Sequence, residues 1–384
     1  MIRFHLDFSK FTFLFFISYF MLFYIPITSK EYYYNINYFH FLLNNKVLFI
    51  SYIIIFTKIF TSLLKFPLKS PMLFLISIAM ILHNLILYFF GVDSNFFVTG
   101  FLLLLYPLSF LLTHKLIVKV IELNLIILIL FWAATVFDNL TIYNISPISE
   151  IRYYLISEES SKFRFQNNSL YGQKNSLGAT LSIMILIYLY ASYYFYILNF
   201  WRGVLVSLSS ALLLASNSAA GIGILLCGIF ILLILKKKII FSLIFLLLTI
   251  LYLFNFQVYN IQYKLDSLFL KLNTNYSFFD WMDPLILIFG HRVLGSGDIY
   301  TESTFLDMIL NFGIFIPLLF LSYLLFRVFQ NIIKGSFFLA YIYVAIIFLI
   351  LLQNSSLMPA SIFLIIFLEA FCRYPQPKVA HTSK

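Results

Sequence analysis

Two stretches of this chain concentrate the side chains that could do chemistry. The first carries Arg152, Lys162, Arg164 and Lys174 and ends in Tyr171-Gly172-Gln173-Lys174-Asn175-Ser176-Leu177-Gly178. Asn175, Gly178 or Ala179, and Ser182 then recur at helical spacing. They make one small, polar face that would let a backbone or ligand approach closely. The second carries Phe289-Gly290-His291-Arg292, then Gly295, Gly297, Asp298, Glu302, Ser303 and Thr304. His291 and Arg292 could bind an anion, because a guanidinium matches phosphate with paired, charge-assisted hydrogen bonds. Asp298, Glu302 or His291 could take a proton from an attacking hydroxyl. Ser303, Asp307 and Asn311 follow at i, i+4 and i+8 and so share one helical face, where a carboxylate in apolar surroundings is a functional candidate. The plainer alternatives are ordinary helix packing for Gly178 and Ser182 and solvated loop charge for Arg164 and Lys174. For Ser303 or Thr304 the plain alternative is helix capping.

Elsewhere the ionisable groups are few. His83 and Asn84 interrupt an apolar run and read as a hydrogen-bonded structural pair rather than a proton relay. Glu122 and Glu369 sit near the ends of apolar runs and are expected to snorkel toward water. Cys227 and Cys372 are too far apart in the expected topology to form a disulfide or a metal site. The sequence has no phosphate-binding loop, zinc-protease helix or nucleophile elbow, and therefore no signature of nucleotide, metal or cofactor use.

These residues must be positioned by an unusually apolar chain. Of its residues, 62% are hydrophobic and only 10% are charged, with a mean hydropathy of +0.98. About a quarter charged is usual for a water-exposed domain. Runs near the ~20 residues that a membrane-crossing helix needs occur at 11–28, 47–64, 71–90, 96–113, 116–137, 177–199, 203–216, 219–235, 239–256, 304–326, 336–352 and 357–372. The pattern predicts an all-α, polytopic integral membrane protein of about 12 transmembrane helices, a single membrane domain over 1–384. Two long loops, 138–176 and 257–303, would lie on the periplasmic side.

The net charge of +10 reads as an orientation signal and not as a nucleic-acid signal. With both termini cytoplasmic, about 16 of the 25 Lys and Arg residues fall in short inner loops, as the positive-inside rule requires. Basic groups in two outer loops above a helical bundle then suggest an anion presented at the outer leaflet, and a lipid-linked diphosphate fits.

Three local stretches carry a resemblance. They are Arg164 through Gly178, the turn Leu214-Ala215-Ser216-Asn217-Ser218-Ala219-Ala220, and Phe289-Gly290 through Glu302-Ser303-Thr304-Phe305-Leu306, continuing into Asn311-Phe312-Gly313-Ile314. With the twelve-span plan, they resemble the O-antigen polymerases (Wzy type) and the related O-antigen ligases over about residues 150–326. In that family the turn often carries a Ser-Arg pair, whereas here Ser218 precedes Ala219.

The resemblance implies an inner-membrane glycosyltransferase of lipopolysaccharide biosynthesis. It would move a growing glycan from undecaprenyl diphosphate onto a lipid-linked repeat unit at the periplasmic face, without nucleotide sugar, cofactor or metal. Arg164 and Arg292, backed by Arg152 and Lys174, would stabilise the leaving diphosphate. Glu302, Asp298 or His291 would serve as base, and Asn175, Asp307 and Asn311 would line the cavity. The implied partners are the undecaprenyl-diphosphate-linked oligosaccharide, the lipid bilayer and a chain-length regulator, with no nucleic acid. The alternatives are a ligase acting on lipid A core and a repeat-unit flippase.

Overall fold

The computed structural model describes residues 71–89, 112–143, 174–195, 200–215, 218–238, 240–244, 246–247, 269, 273, 284–290, 303–352 and 359–372. The helices that matter below are α1 (Pro71–Phe89), α2 (His114–Tyr143), α3 (Lys174–Phe195), α4 (Phe200–Ala215) and α5 (Ala219–Leu235). They are followed by α6 (Pro284–Phe289), α7 (Thr304–Phe312), α8 (Phe315–Ile333), α9 (Phe337–Leu352) and α10 (Pro359–Phe371). The fold is all-α, as the periodicity predicts.

Helix α3 is the centre of the packing. Its residues from Gly178 to Ser192 are almost all buried, and α2, α4, α5, α9 and α10 all pack against it. A side chain enclosed on every side in this way needs an apolar surface all round, and the run Leu181–Tyr188 supplies it. The closest approach is to α5. A Cβ placed on Gly221 would stand 2.5 Å from the carbonyl oxygen of Gly178, so the two backbones touch where only glycine fits. Ser218 starts α5 by accepting a hydrogen bond from the Gly221 amide at 3.3 Å, which fixes the first turn at that contact. Tyr341 of α9 donates to the Ile224 carbonyl at 2.5 Å and ties α9 to the same helix.

The expected span 304–326 is in fact two helices. Gly313, at φ +71°, ends α7, and its amide donates to Ile309 at 2.8 Å. Helix α8 then runs on to Ile333. The turn into α9 closes through Gly335 at φ +73°, with the Ser336 amide on the Asn331 carbonyl at 2.7 Å, a left-handed helix ending.

The expectation of a polytopic membrane protein with about 12 transmembrane helices is corrected here. Among the described residues one helix, α8, with 19 residues, is long and apolar enough to cross a membrane. The other apolar stretches, Pro71–His83, Gly178–Ser192, Phe200–Leu214, Ala220–Leu235 and Phe337–Leu351, are shorter. At about 1.5 Å per residue, 17 residues of α5 reach roughly 26 Å, short of the ~30 Å of hydrocarbon. The inner-membrane, multi-pass placement with both termini cytoplasmic rested on the twelve spans and falls with them. Helix α2 continues through Tyr143 into the segment 138–176, and α6 lies inside 257–303. The expected spans 11–28 and 47–64 and most of 96–113 and 239–256 lie outside the described residues.

Candidate functional site

Two polar clusters are built into the apolar bundle. The larger centres on Glu369 of α10, which is fully buried. Its Oε1 accepts the hydroxyls of Tyr323 of α8 at 2.6 Å and Tyr343 of α9 at 2.7 Å. Its Oε2 is paired with the guanidinium of Arg327, also on α8. Arg327 in turn donates to Gln330 at 2.5 Å and lies over the Tyr323 ring, 5.6 Å from its centre. Asn331 donates to the Arg327 carbonyl at 2.8 Å and receives the Cys372 thiol at 3.5 Å. Three helices thus supply one carboxylate with its charge partner and two hydroxyls. A buried charge is tolerated only with such completeness of pairing.

The smaller cluster centres on Glu122 of α2. Its Oε1 accepts the hydroxyl of Tyr188 of α3 at 2.7 Å and Nε of Arg202 of α4 at 3.2 Å. Helix α3 supplies Tyr188 to the smaller cluster and packs against α9 and α10, which carry Tyr343 and Glu369 of the larger one. There Tyr190 stacks on Phe338 at 5.8 Å and meets Phe371 edge-on at 5.7 Å.

Both oxygens of Glu369 are engaged, while Glu122 is bound through Oε1 and its side chain is 28% exposed. Burial, with the Glu369 charge next, pushes the Cys372 thiol up to about 11. A thiol held there is a poor nucleophile at neutral pH. Burial likewise raises the Tyr188 hydroxyl, helped by its bond to Glu122. Among the described residues no group of three or more His, Cys, Asp or Glu side chains could hold a metal ion.

The residues expected to do chemistry are placed only in part. Arg152, Arg164, His291, Arg292, Asp298 and Glu302 lie outside the described residues. Lys174 and Asn175 are the first two residues of α3, and Asp307 and Asn311 sit one turn apart on α7. Ser303 does not cap α7; its hydroxyl donates instead to the Ile350 carbonyl of α9 at 3.2 Å. The Asn84 side chain expected to pair with His83 lies outside the described side chains, and His83 itself meets the Phe289 carbonyl through Nε2 at 3.2 Å. Burial holds its imidazole below the ordinary 6.5, against the opposing pull of that bond.

Glu369 corrects the snorkelling expectation, since it is fully buried, whereas Glu122 keeps 28% side-chain exposure while bonded to Tyr188 and Arg202. The signal was present in the sequence. Arg327 and Glu369 are isolated opposite charges in apolar helices, and each needs a partner when buried.

No protein-family model matches the chain, and no curated protein or solved structure matches it either. The resemblance to O-antigen polymerases and ligases is therefore corrected. No family match carries it, and the described helices lack the multi-pass architecture on which the mechanism depends. With it go the glycosyltransferase activity and the place in lipopolysaccharide biosynthesis. The undecaprenyl-linked substrate, the bilayer and the chain-length regulator as partners go too, together with the ligase and flippase alternatives.

Proposed function

We propose that this chain is a helix-docking protein, which works by holding an apolar α-helix of a partner protein along the outer face of α8. The observation that carries this is the pattern of exposure on α8. Phe315, Leu318, Leu319, Leu325, Phe326, Phe329, Ile332 and Ile333 are all exposed, whereas Ile316, Phe320, Tyr323, Leu324 and Val328 are buried. Phe315 and Phe329, with Ser322 midway, repeat every seven residues. So do Leu318, Leu325 and Ile332, and so do Leu319, Phe326 and Ile333. This is the three-in-seven face by which one helix receives another, with knobs at alternating spacings of three and four. Ile333 is 85% exposed, and a contiguous apolar stripe of this length marks an interaction surface.

The inner face of the same helix is anchored by Arg327 and Tyr323 to Glu369. The outer stripe is therefore presented on a rigid element, which favours binding by lowering its entropic cost.

The test is a photo-reactive benzoyl-phenylalanine placed singly at Leu319, Phe326 or Phe329, and at buried Val328 as control, in the full chain in cells. Mass spectrometry of the adducts should find apolar helical peptides at the outer positions and none at Val328. An adduct with the chain's own α8 identifies a second copy as the partner, and an adduct with another protein's helix identifies that protein. Lipid adducts alone, or none at all, would refute the reading.

A further inference from the structure

The short helix α6 ends in an arrangement that the helix-docking role leaves unexplained. The last carbonyls of any helix lack partners within it. Here consecutive ones are met from outside. The Leu287 carbonyl accepts the Ile314 amide at 2.8 Å. The Ile288 carbonyl rests on Gly313 so closely that no Cβ could stand there. The Phe289 carbonyl meets Nε2 of His83, whose ring stands edge-on to Phe312 with centres 5.3 Å apart. Gly290, at φ +88°, then turns the chain away.

Six residues are too few to hold a helix by themselves. Leu285, Ile288 and Phe289 are 52%, 43% and 54% exposed, while Leu287 packs against Leu306, Ile309 and Leu310 of α7. Alongside that apolar contact, the carbonyl contacts to α1 and to the break between α7 and α8 hold α6 in place.

We propose that α6 is a strap that docks and undocks as a unit, and that His83 is the positioning residue that ties it down. The imidazole donates from Nε2 to Phe289, so Nδ1 carries the lone pair, and that atom is buried without a hydrogen-bond partner. Releasing His83 frees the Phe289 carbonyl, and the Ile314 amide then loses its own acceptor as α6 lifts. The strap thereby sets the position of Gly290, at the end of α6. This inference rests on contacts remote from the outer stripe of α8 and stands or falls separately from it.

Hydrogen exchange at the Ile314 amide in the purified full chain tests it. In His83→Ala, exchange at Ile314 should quicken about five- to tenfold, the effect of losing one neutral hydrogen bond. The Ala340 amide, bonded to Ser336 in the α8–α9 turn, should be unchanged. His83→Gln, which keeps an amide donor at similar reach, should restore most of the protection. Gly313→Ala, with His83 intact, should reproduce the local rise and serves as the second variant if His83→Ala fails to fold. The strap is overturned if Ile314 exchanges as in wild type in both variants, if Ala340 quickens equally, or if glutamine restores nothing.

Discussion

Glu369 shows how much one buried carboxylate can organise. It joins α8, α9 and α10 through Arg327, Tyr323 and Tyr343, and it has no access to water. Removing it strands the arginine in an apolar interior, where an uncompensated charge costs far more than the pair returns. Glu369→Ala should therefore lower stability by about 3–5 kcal/mol, measured by denaturant unfolding. Replacing both Arg327 and Glu369 by Met should cost much less than the single change, because two well-packed apolar groups need no compensation. A double variant as damaged as Glu369→Ala would show that the pair does more than satisfy itself. The single residues were legible in the sequence, but their partnership was not. Forty-two positions separate Arg327 from Glu369, and no local spacing rule reaches across that distance.

At the scale of elements, the contact of α3 with α5 depends on missing atoms. Gly221 faces the Gly178 carbonyl across a gap that admits no Cβ, while Gly223, two residues on, faces open space. The two glycines should therefore answer alanine with opposite signs. Gly221→Ala forces two backbones apart and should cost about 1–3 kcal/mol. Gly223→Ala relieves the helix of a flexible residue and should add about 1 kcal/mol or less. Thermal unfolding of the two variants measures both; equal shifts would remove the close crossing as their cause. Helix positions were largely legible, since 219–235 and 336–352 fall almost on α5 and α9. The break at Gly313 was not. The run from Thr304 to Phe326 is apolar enough overall to read as one span, although Asp307, Asn311, Gly313 and Pro317 interrupt it; at the turn the Ile288 carbonyl of α6 lies against Gly313, a contact that sequence distance hides. The function was misread for a related reason. Apolar length alone does not separate a helix enclosed by protein, such as α3, from one that meets lipid, and the deciding quantity is what surrounds it.

For the molecule as a whole, α3 links the smaller cluster to the helices of the larger one. Tyr188 bonds to Glu122, and Tyr190 packs on Phe371 of α10. A chain ended after Leu352 should lose the α10 cover of α3 together with the acceptor for Arg327. Limited proteolysis should then cut within α3 at protease levels that leave the full chain intact. Unchanged resistance would mean that α2, α4, α5 and α9 suffice to enclose it.

The central place of α3 also has a consequence in time. Its walls are made in the wrong order for prompt burial. Helix α3 leaves the ribosome long before α9 and α10, and translation at about 5–20 residues per second separates α3 from α10 by roughly 10–30 s. Throughout that interval Met184, Ile187 and Tyr190 belong to a helix whose later walls do not yet exist. An apolar helix left waiting is a target for any other apolar helix nearby.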